Sequence, residues 1–235
     1  MNHVHPTAII GAGVELGDNN TIGPYVVLAG PLRIGSGNWI GASCVIGGPA
    51  EFHDFEHSTT WPDEPSPGPG IVIGDNNVIR ELSAVTQGSH RATTIGNHCF
   101  FMGKVHIPHD AVLCDHTTIS PMAALGGHVQ VGEGANLGIG TSIHQGRIIG
   151  AGAMIGMGAV VVKDIPPFAK AYGSPCRVSG ANVVYMMRHG FDEEVVQTLQ
   201  RWYEEHGYEL PEDLNLPREI IAHFEWWTAA RAQTY

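Results

Sequence analysis

The residues best suited to chemistry in this chain are histidines that look scattered but recur in step. His109, Gly127 and Gln145 lie 18 residues apart, and so do Asp110, His128 and Gly146. His106 stands three residues before His109, and His144 directly precedes Gln145. An imidazole serves as a general base near neutral pH, and an adjacent carboxylate such as Asp110 fixes its tautomer and stabilises the imidazolium. Gly127 offers a backbone N–H that no side chain shields, which suits an oxyanion. Base, orienting acid and oxyanion donor together fit acyl transfer to a hydroxyl or an amine. His3, His5, His57, His90, His98, His116 and His206 read instead as surface or corner residues.

The element that must position this cluster is visible in the aliphatic residues, which return every sixth position. One run is Val4, Ile10, Leu16, Ile22, Leu28, Ile34, Ile40 and Ile46, followed after an interruption by Ile73, Ile79 and Val85; a second extends from Ile95 to Val161. A hexapeptide period predicts a parallel β-helix, one short strand and one corner per hexad, with the aliphatic pointing inward. Three hexads close a triangular coil of 18 residues, so residues 18 apart stack at about 4.8 Å. The four histidines then gather on one edge of three coils, within roughly 10 Å. Glycine follows the aliphatic at Gly11, Gly17, Gly23, Gly35, Gly41, Gly132, Gly138, Gly150 and Gly156. It is expected there because the corner demands a backbone conformation that other residues resist.

The period breaks twice. Residues at about 47–70 are too rich in proline for a strand and should leave the solenoid as a loop, whose Phe52, Phe55 and Trp61 favour a binding role. Between Val85 and Ile95 the interval is ten, so residues around Gln87 to Arg91 should bulge outward. These features predict an all-β solenoid over 1–172 and a C-terminal α-helical region over 173–235. In the latter, Phe191, Val195, Val196, Leu199, Trp202 and Tyr203 form a helical stripe with Asp192 placed as its cap. Pro217 opens another helix, with Ile220, Ile221, Phe224 and Trp227 on one face. Both stripes should pack and cap the solenoid end.

The chain has 235 residues, 12 basic against 23 acidic, for a net charge of −11. That balance argues against nucleic acid or an anionic membrane as partner. The stretch from Arg147 to Arg188 inverts it: Arg147, Lys163, Lys170, Arg177 and Arg188 face a single acid, Asp164, which suits phosphates or an acidic carrier protein. The N-terminus has neither a basic nor an apolar leader, and no run approaches a membrane span, so a soluble, cytoplasmic protein is expected. Cys44, Cys99, Cys114 and Cys176 lie too far apart for a metal motif and read as free thiols.

Five segments carry a family resemblance: His106-Ile-Pro-His109-Asp110, Gly126-Gly127-His128-Val129, Ile143-His144-Gln145, Asp164-Ile-Pro-Pro, and Asn182 with Arg188-His189-Gly190-Phe191. In that order they resemble the UDP-N-acetylglucosamine O-acyltransferases of lipid A biosynthesis. The likeness extends to His5-Pro6-Thr7-Ala8-Ile9, Ile79-Arg80-Glu81 and the segment from Phe224 to Arg231. It implies a left-handed β-helix and a homotrimer with its sites between subunits. Acyl carrier protein would be the donor and a nucleotide sugar the acceptor, with neither cofactor nor metal. Carried over by position, it implies His109 as general base, Asp110 as its partner and Gly127 as oxyanion donor. His106, His128 and His144 would line the groove, while Gln145, Asn182 and Arg188 would hold the nucleotide. Met157 falls where family members that accept long acyl chains have glycine, which implies a short or medium chain here. Val184 and His189 depart from the family pattern, as does the proline-rich loop, which admits a related nucleotide sugar or its amino analogue.

Three other readings compete. Gly173-Ser-Pro-Cys-Arg177 resembles the turn of transferases that take acetyl-CoA. A zinc hydratase of the γ-carbonic anhydrase type shares the solenoid, though its histidine spacing differs from His106-x-x-His109. A non-catalytic hexapeptide scaffold would leave the stacked histidines without a purpose.

Overall fold

A computed structural model describes residues 1–209 and 216–232. Three sheets of ten, eight and seven short strands, parallel except for the last strand of the ten, form the faces of a prism about nine turns long. The coil register is 18 residues where the hexads are unbroken, as in Asn136 opposite Met154. It lengthens to 39 between Asn38 and Asn77, across the long loop, and to 22 between Asn77 and Cys99, across the short insertion. Both interruptions thus fall between coils and leave the ladder intact.

The repeat aliphatics from Ile22 onward are buried almost without exception, each stabilising the fold by about 1.5–3 kcal/mol. The first coil differs. Val4 and Ile10 remain 38% and 42% exposed, because they belong to the first coil of the described residues and are covered from one side only. A second ladder, polar and buried, runs two residues ahead of the aliphatics. The Asn20 Oδ1 accepts the Asn38 N–H at 2.8 Å, Asn38 Oδ1 accepts the Asn77 N–H at 2.9 Å, and Asn77 Oδ1 accepts the Cys99 N–H at 2.7 Å. Cys44, Cys99 and Cys176 are buried, Cys114 is half-buried, and all four are free thiols.

Glycine after the aliphatic has a different cause from the one expected. The left-handed corner falls two positions later and is mostly not glycine: Leu82, His98, Lys104, Asp110, His116, Met122 and His128 all adopt φ between 55° and 63°. The glycine following the aliphatic instead lets the next coil approach. A Cβ on Gly132 would stand 2.5 Å from the Ala151 nitrogen, and one on Gly138 2.6 Å from that of Met157.

The C-terminal end is closed by elements that the periodicity does not announce. Ala169–Tyr172 and Arg177–Ala181 form an antiparallel hairpin that extends the ten-stranded sheet, so the division between 172 and 173 falls at its turn. Helix α1 (Val183–Arg188) follows, capped by Asn182. Helix α2 (Glu193–His206) packs on the hairpin through Val196, Leu199 and Tyr203, whose hydroxyl donates to the Pro167 carbonyl at 2.7 Å. Asp192 stands at its N-cap position but its side chain makes no capping bond. Helix α3 (Arg218–Ala232) sets Trp227 and Ala230 on Ile148, in the last strand of the seven-stranded sheet, and Phe224 against Phe168. Ile220 is buried while Ile221 turns outward. Among the described residues no helix is long and apolar enough to cross a membrane.

Because the approach between coils leaves no room for a methyl group, Gly132→Ala should destabilise the protein by about 1–3 kcal/mol. Gly140→Asn, at a left-handed corner where a Cβ meets nothing within 4 Å, should be nearly silent. Thermal unfolding of the two variants side by side checks this.

Candidate active site

The short strand His106–Ile107 ends at a corner whose left-handed residue is Asp110 (φ 61°). The Asp110 carboxylate at that turn is fully buried beside the neighbouring His109 ring. Oδ2 lies 2.7 Å from His109 Nδ1. An ionised carboxylate only accepts hydrogen bonds, so Nδ1 carries the proton and Nε2 presents a free lone pair.

The rest of the Asp110 shell comes from the short insertion. Oδ1 accepts the N–H groups of His90 at 2.8 Å, Arg91 at 2.7 Å and Ser89 at 3.1 Å; Oδ2 accepts the Ser89 hydroxyl at 2.6 Å. Burial pushes this carboxyl up, but the Arg91 N–H, the Ser89 hydroxyl, His109 and the His90 N–H outweigh it and hold it well below the usual carboxylate range. The segment expected to bulge outward therefore folds over the site instead. Gln87 at its start is completely buried.

Gly127 lies one coil above His109, where a Cβ would stand 2.5 Å from both Cε1 and Nε2 of the imidazole. Any side chain at 127 would displace the base. The Gly127 carbonyl accepts the Gly146 N–H at 2.8 Å, while its own N–H donates to no group among the described residues. His128 meets His109 edge to face, ring centroids 5.1 Å apart. Burial lowers its pKa; Asp110 opposes this, and His109, Arg91 and His90 add to it, which favours the neutral ring. His90, an unremarkable surface residue by its sequence context, stacks on His128 at 5.9 Å besides donating to Asp110.

The long loop returns to the site as well. Glu51 Oε2 is 2.9 Å from His106 Nε2, and the Phe52 ring stands 6.3 Å from His109 and 6.1 Å from His90. Trp61 anchors this loop through its indole N–H to the Gly47 carbonyl at 3.1 Å. Sequence spacing brings out the histidines but not Glu51, Ser89 or Arg91; the ten-residue interval and the aromatic loop mark only where they lie.

The remaining candidates spread along the prism. His144 is exposed, its Nδ1 donating to the Gln145 carbonyl at 3.1 Å, and borders an open groove of 320 Å³ with Leu125, Gly126, Val160 and Val162. Gln145 is exposed beside it. Asn182 acts as a strut: its amide donates to the Gly152 carbonyl at 2.8 Å and its Oδ1 accepts the Tyr185 N–H at 3.3 Å. Arg188 is exposed in the last turn of α1. Of the basic stretch, Arg147 is held by Asp164 at 3.3 Å, which Arg231 shares at 3.2 Å. Met157 does not pack inward and is 76% exposed at a corner.

His109, Asp110 and His128 bring three potential ligand atoms within 4.8 Å. Two ligands of one tetrahedral zinc stand about 3.3 Å apart at bond lengths of about 2.0 Å. Nδ1 and Oδ2 are closer, at 2.7 Å, and the carboxylate already faces several N–H and O–H donors. The set fits a hydrogen-bonded pair rather than a zinc centre.

Residues 164–212 match the model of the second domain of UDP-N-acetylglucosamine O-acyltransferase. Over 215 residues the chain is 40% identical to the acyl-(acyl-carrier-protein)–UDP-N-acetylglucosamine O-acyltransferase of Thiobacillus denitrificans, covering 86% of this chain and 83% of that one. The chain belongs to the UDP-N-acetylglucosamine O-acyltransferase family. A Pseudomonas putida relative of the same name is 40% identical over 136 residues, 57% of this chain and 53% of that one. Among solved structures, the UDP-N-acetylglucosamine acyltransferase of Bacteroides fragilis superposes with a TM-score of 0.74 at 27% identity, covering 100% of this chain and 90% of that one. The Campylobacter jejuni enzyme gives 0.74 at 26% identity, covering 99% and 97%. This acyltransferase family thus accounts for the solenoid and for the helices that close it.

The depressed pKa of Asp110 sets a pH dependence. A carboxyl whose folded pKa lies below its unfolded value of about 3.9 contributes stability above that value and loses it as pH falls toward the folded one. The melting temperature of Asp110→Asn should lie furthest below wild type near neutral pH, and the gap should narrow below about pH 4. A gap that stays constant between pH 7 and 3 would contradict the ionised assignment.

Proposed function

We propose that this acyltransferase moves an acyl group of short or medium length from acyl carrier protein to a hydroxyl of UDP-N-acetylglucosamine or a closely related nucleotide sugar, with His109 as general base. The observation that carries the reading is the His109–Asp110 pair with the free Nε2 edge against the bare Gly127 backbone. Nε2 takes the proton of the acceptor hydroxyl as its oxygen attacks the thioester carbonyl carbon. The tetrahedral oxyanion forms beside the Gly127 N–H. Its collapse breaks the carbon–sulfur bond, and the imidazolium returns the proton to the leaving phosphopantetheine thiolate. Asp110 stabilises the imidazolium in between. His106, His128 and His144 line the approach, Gln145 and Arg188 hold the nucleotide, and Asn182 keeps α1 in place beneath Arg188.

The exposed Val160 and Val162 give the His144 groove an apolar wall, and Ile139 and Met157 are exposed apolar corner residues. A neighbouring copy would cover them, in keeping with a homotrimer whose sites lie between subunits. A donor on acyl carrier protein places the reaction in the cytoplasm.

His109→Ala should lose about 10²-fold or more in turnover while still folding. Mass spectrometry of product from nucleotide sugars offered with acyl carrier protein or with CoA carriers tests the base and the donor together. A folded His109→Ala variant at near-normal rate overturns the base, and acylation from CoA alone overturns the donor.

Met157 would end the acyl groove. Each methylene it excludes is worth about 0.8 kcal/mol when buried. Met157→Gly should shift the preferred donor to longer chains; identical length profiles for variant and wild type would reject the ruler.

A further inference from the structure

Between Val85 and Ile95 the hexad period carries extra residues, and the structure devotes them to one carboxylate. The turn is clamped at both ends. Gln87 donates to the carbonyls of Gly30 at 2.7 Å and Gly47 at 3.2 Å, while Arg91 Nε donates to the Asp110 carbonyl at 2.9 Å. Gly88 makes it tight, since a Cβ there would collide with the Arg91 carbonyl oxygen. Three successive N–H groups, from Ser89 to Arg91, then converge on the Asp110 carboxylate.

Within this cradle the two carboxylate oxygens are treated differently. The strongest N–H contacts fall on Oδ1, whereas the two short bonds to Oδ2 come from the Ser89 hydroxyl at 2.6 Å and the His109 Nδ1–H at 2.7 Å, with the shared Ser89 N–H a longer third at 3.2 Å. An oxygen with two in-plane lone pairs is satisfied by two such donors. We infer that Ser89 is a positioning residue: its hydroxyl fixes the Asp110 carboxylate in the orientation that receives His109 Nδ1–H and so aims Nε2 at the acceptor. The short, charge-assisted bond sets direction as well as energy. Without it the backbone cradle still binds the carboxylate, but Oδ2 loses the contact that opposes rotation toward Oδ1. This role rests on the acyl-transfer reading of the site.

The test is steady-state kinetics of the full chain with acyl-loaded acyl carrier protein and UDP-N-acetylglucosamine. Ser89→Ala should lower kcat about tenfold or more and leave both KM values nearly unchanged, and Ser89→Thr should restore most of the rate. In an Asp110→Asn background, Ser89→Ala should add no further loss, because residues that act as a unit are not additive. If Ser89→Ala does not fold, Ser89→Gly removes the hydroxyl and keeps the N–H. Wild-type kcat in the hydroxyl-free variant overturns the inference, and so do losses that multiply in the double variant. Turnover retained by His109→Ala overturns His109 as the base as well, whereas turnover retained by Ser89→Ala alone overturns only the role of Ser89.

Discussion

Each distance in the site is set by the parallel ladder that stacks one coil on the next. Strand neighbours at about 4.8 Å place the corner of one coil directly over that of the coil below, and a residue's height follows from its number. His109 and Gly127 meet because they occupy equivalent positions of successive coils. The constraint is rigid in the sense that matters for catalysis: buried aliphatics fix the coil from inside, and glycines such as Gly132 remove the side chains that would hold coils apart. A base held on such an edge needs little reorganisation to meet its substrate.

The ladder alone would bury an anion at Asp110 with no means of stabilising it. An isolated buried carboxylate would take up a proton, and a protonated Asp110 would stabilise an imidazolium poorly. The short break in the hexad period answers this need, and the long one adds to the site around it. The short insertion supplies backbone donors and the Ser89 hydroxyl to Asp110; the long loop supplies Glu51 to His106 and Phe52 to the open side of His109. Regular repeats build the frame, and the irregular segments make its edge reactive.

How much of this can be read from sequence follows the same division. A period of six is written in single residues, so the solenoid, its breaks at Ile46 and Val85 and the stacking of His109, Asp110, Gly127 and His128 are legible directly. The purpose of the glycines is not, because close approach between coils and left-handed corners both favour glycine; only coordinates separate Gly132 from Gly140. The cradle around Asp110 is hidden for another reason: its donors are mainly backbone N–H groups, which every residue but proline carries. His90 acts through its N–H and through ring stacking, neither of which its neighbours in the chain betray. The closing hairpin escapes notice because its strands, Ala169–Tyr172 and Arg177–Ala181, are too short for a pattern and pair antiparallel after a parallel solenoid.

The most direct test of the central claim is the protonation of His109 itself, measured by ¹⁵N NMR of the histidine-labelled protein above the pH at which the ring titrates, with His109→Gln to assign the signal. The account requires a protonated Nδ1, its proton shifted far downfield by the Asp110 carboxylate, and an unprotonated Nε2. A His109 carrying its proton on Nε2 would contradict it, because the ring would then offer no base to the acceptor beside Gly127.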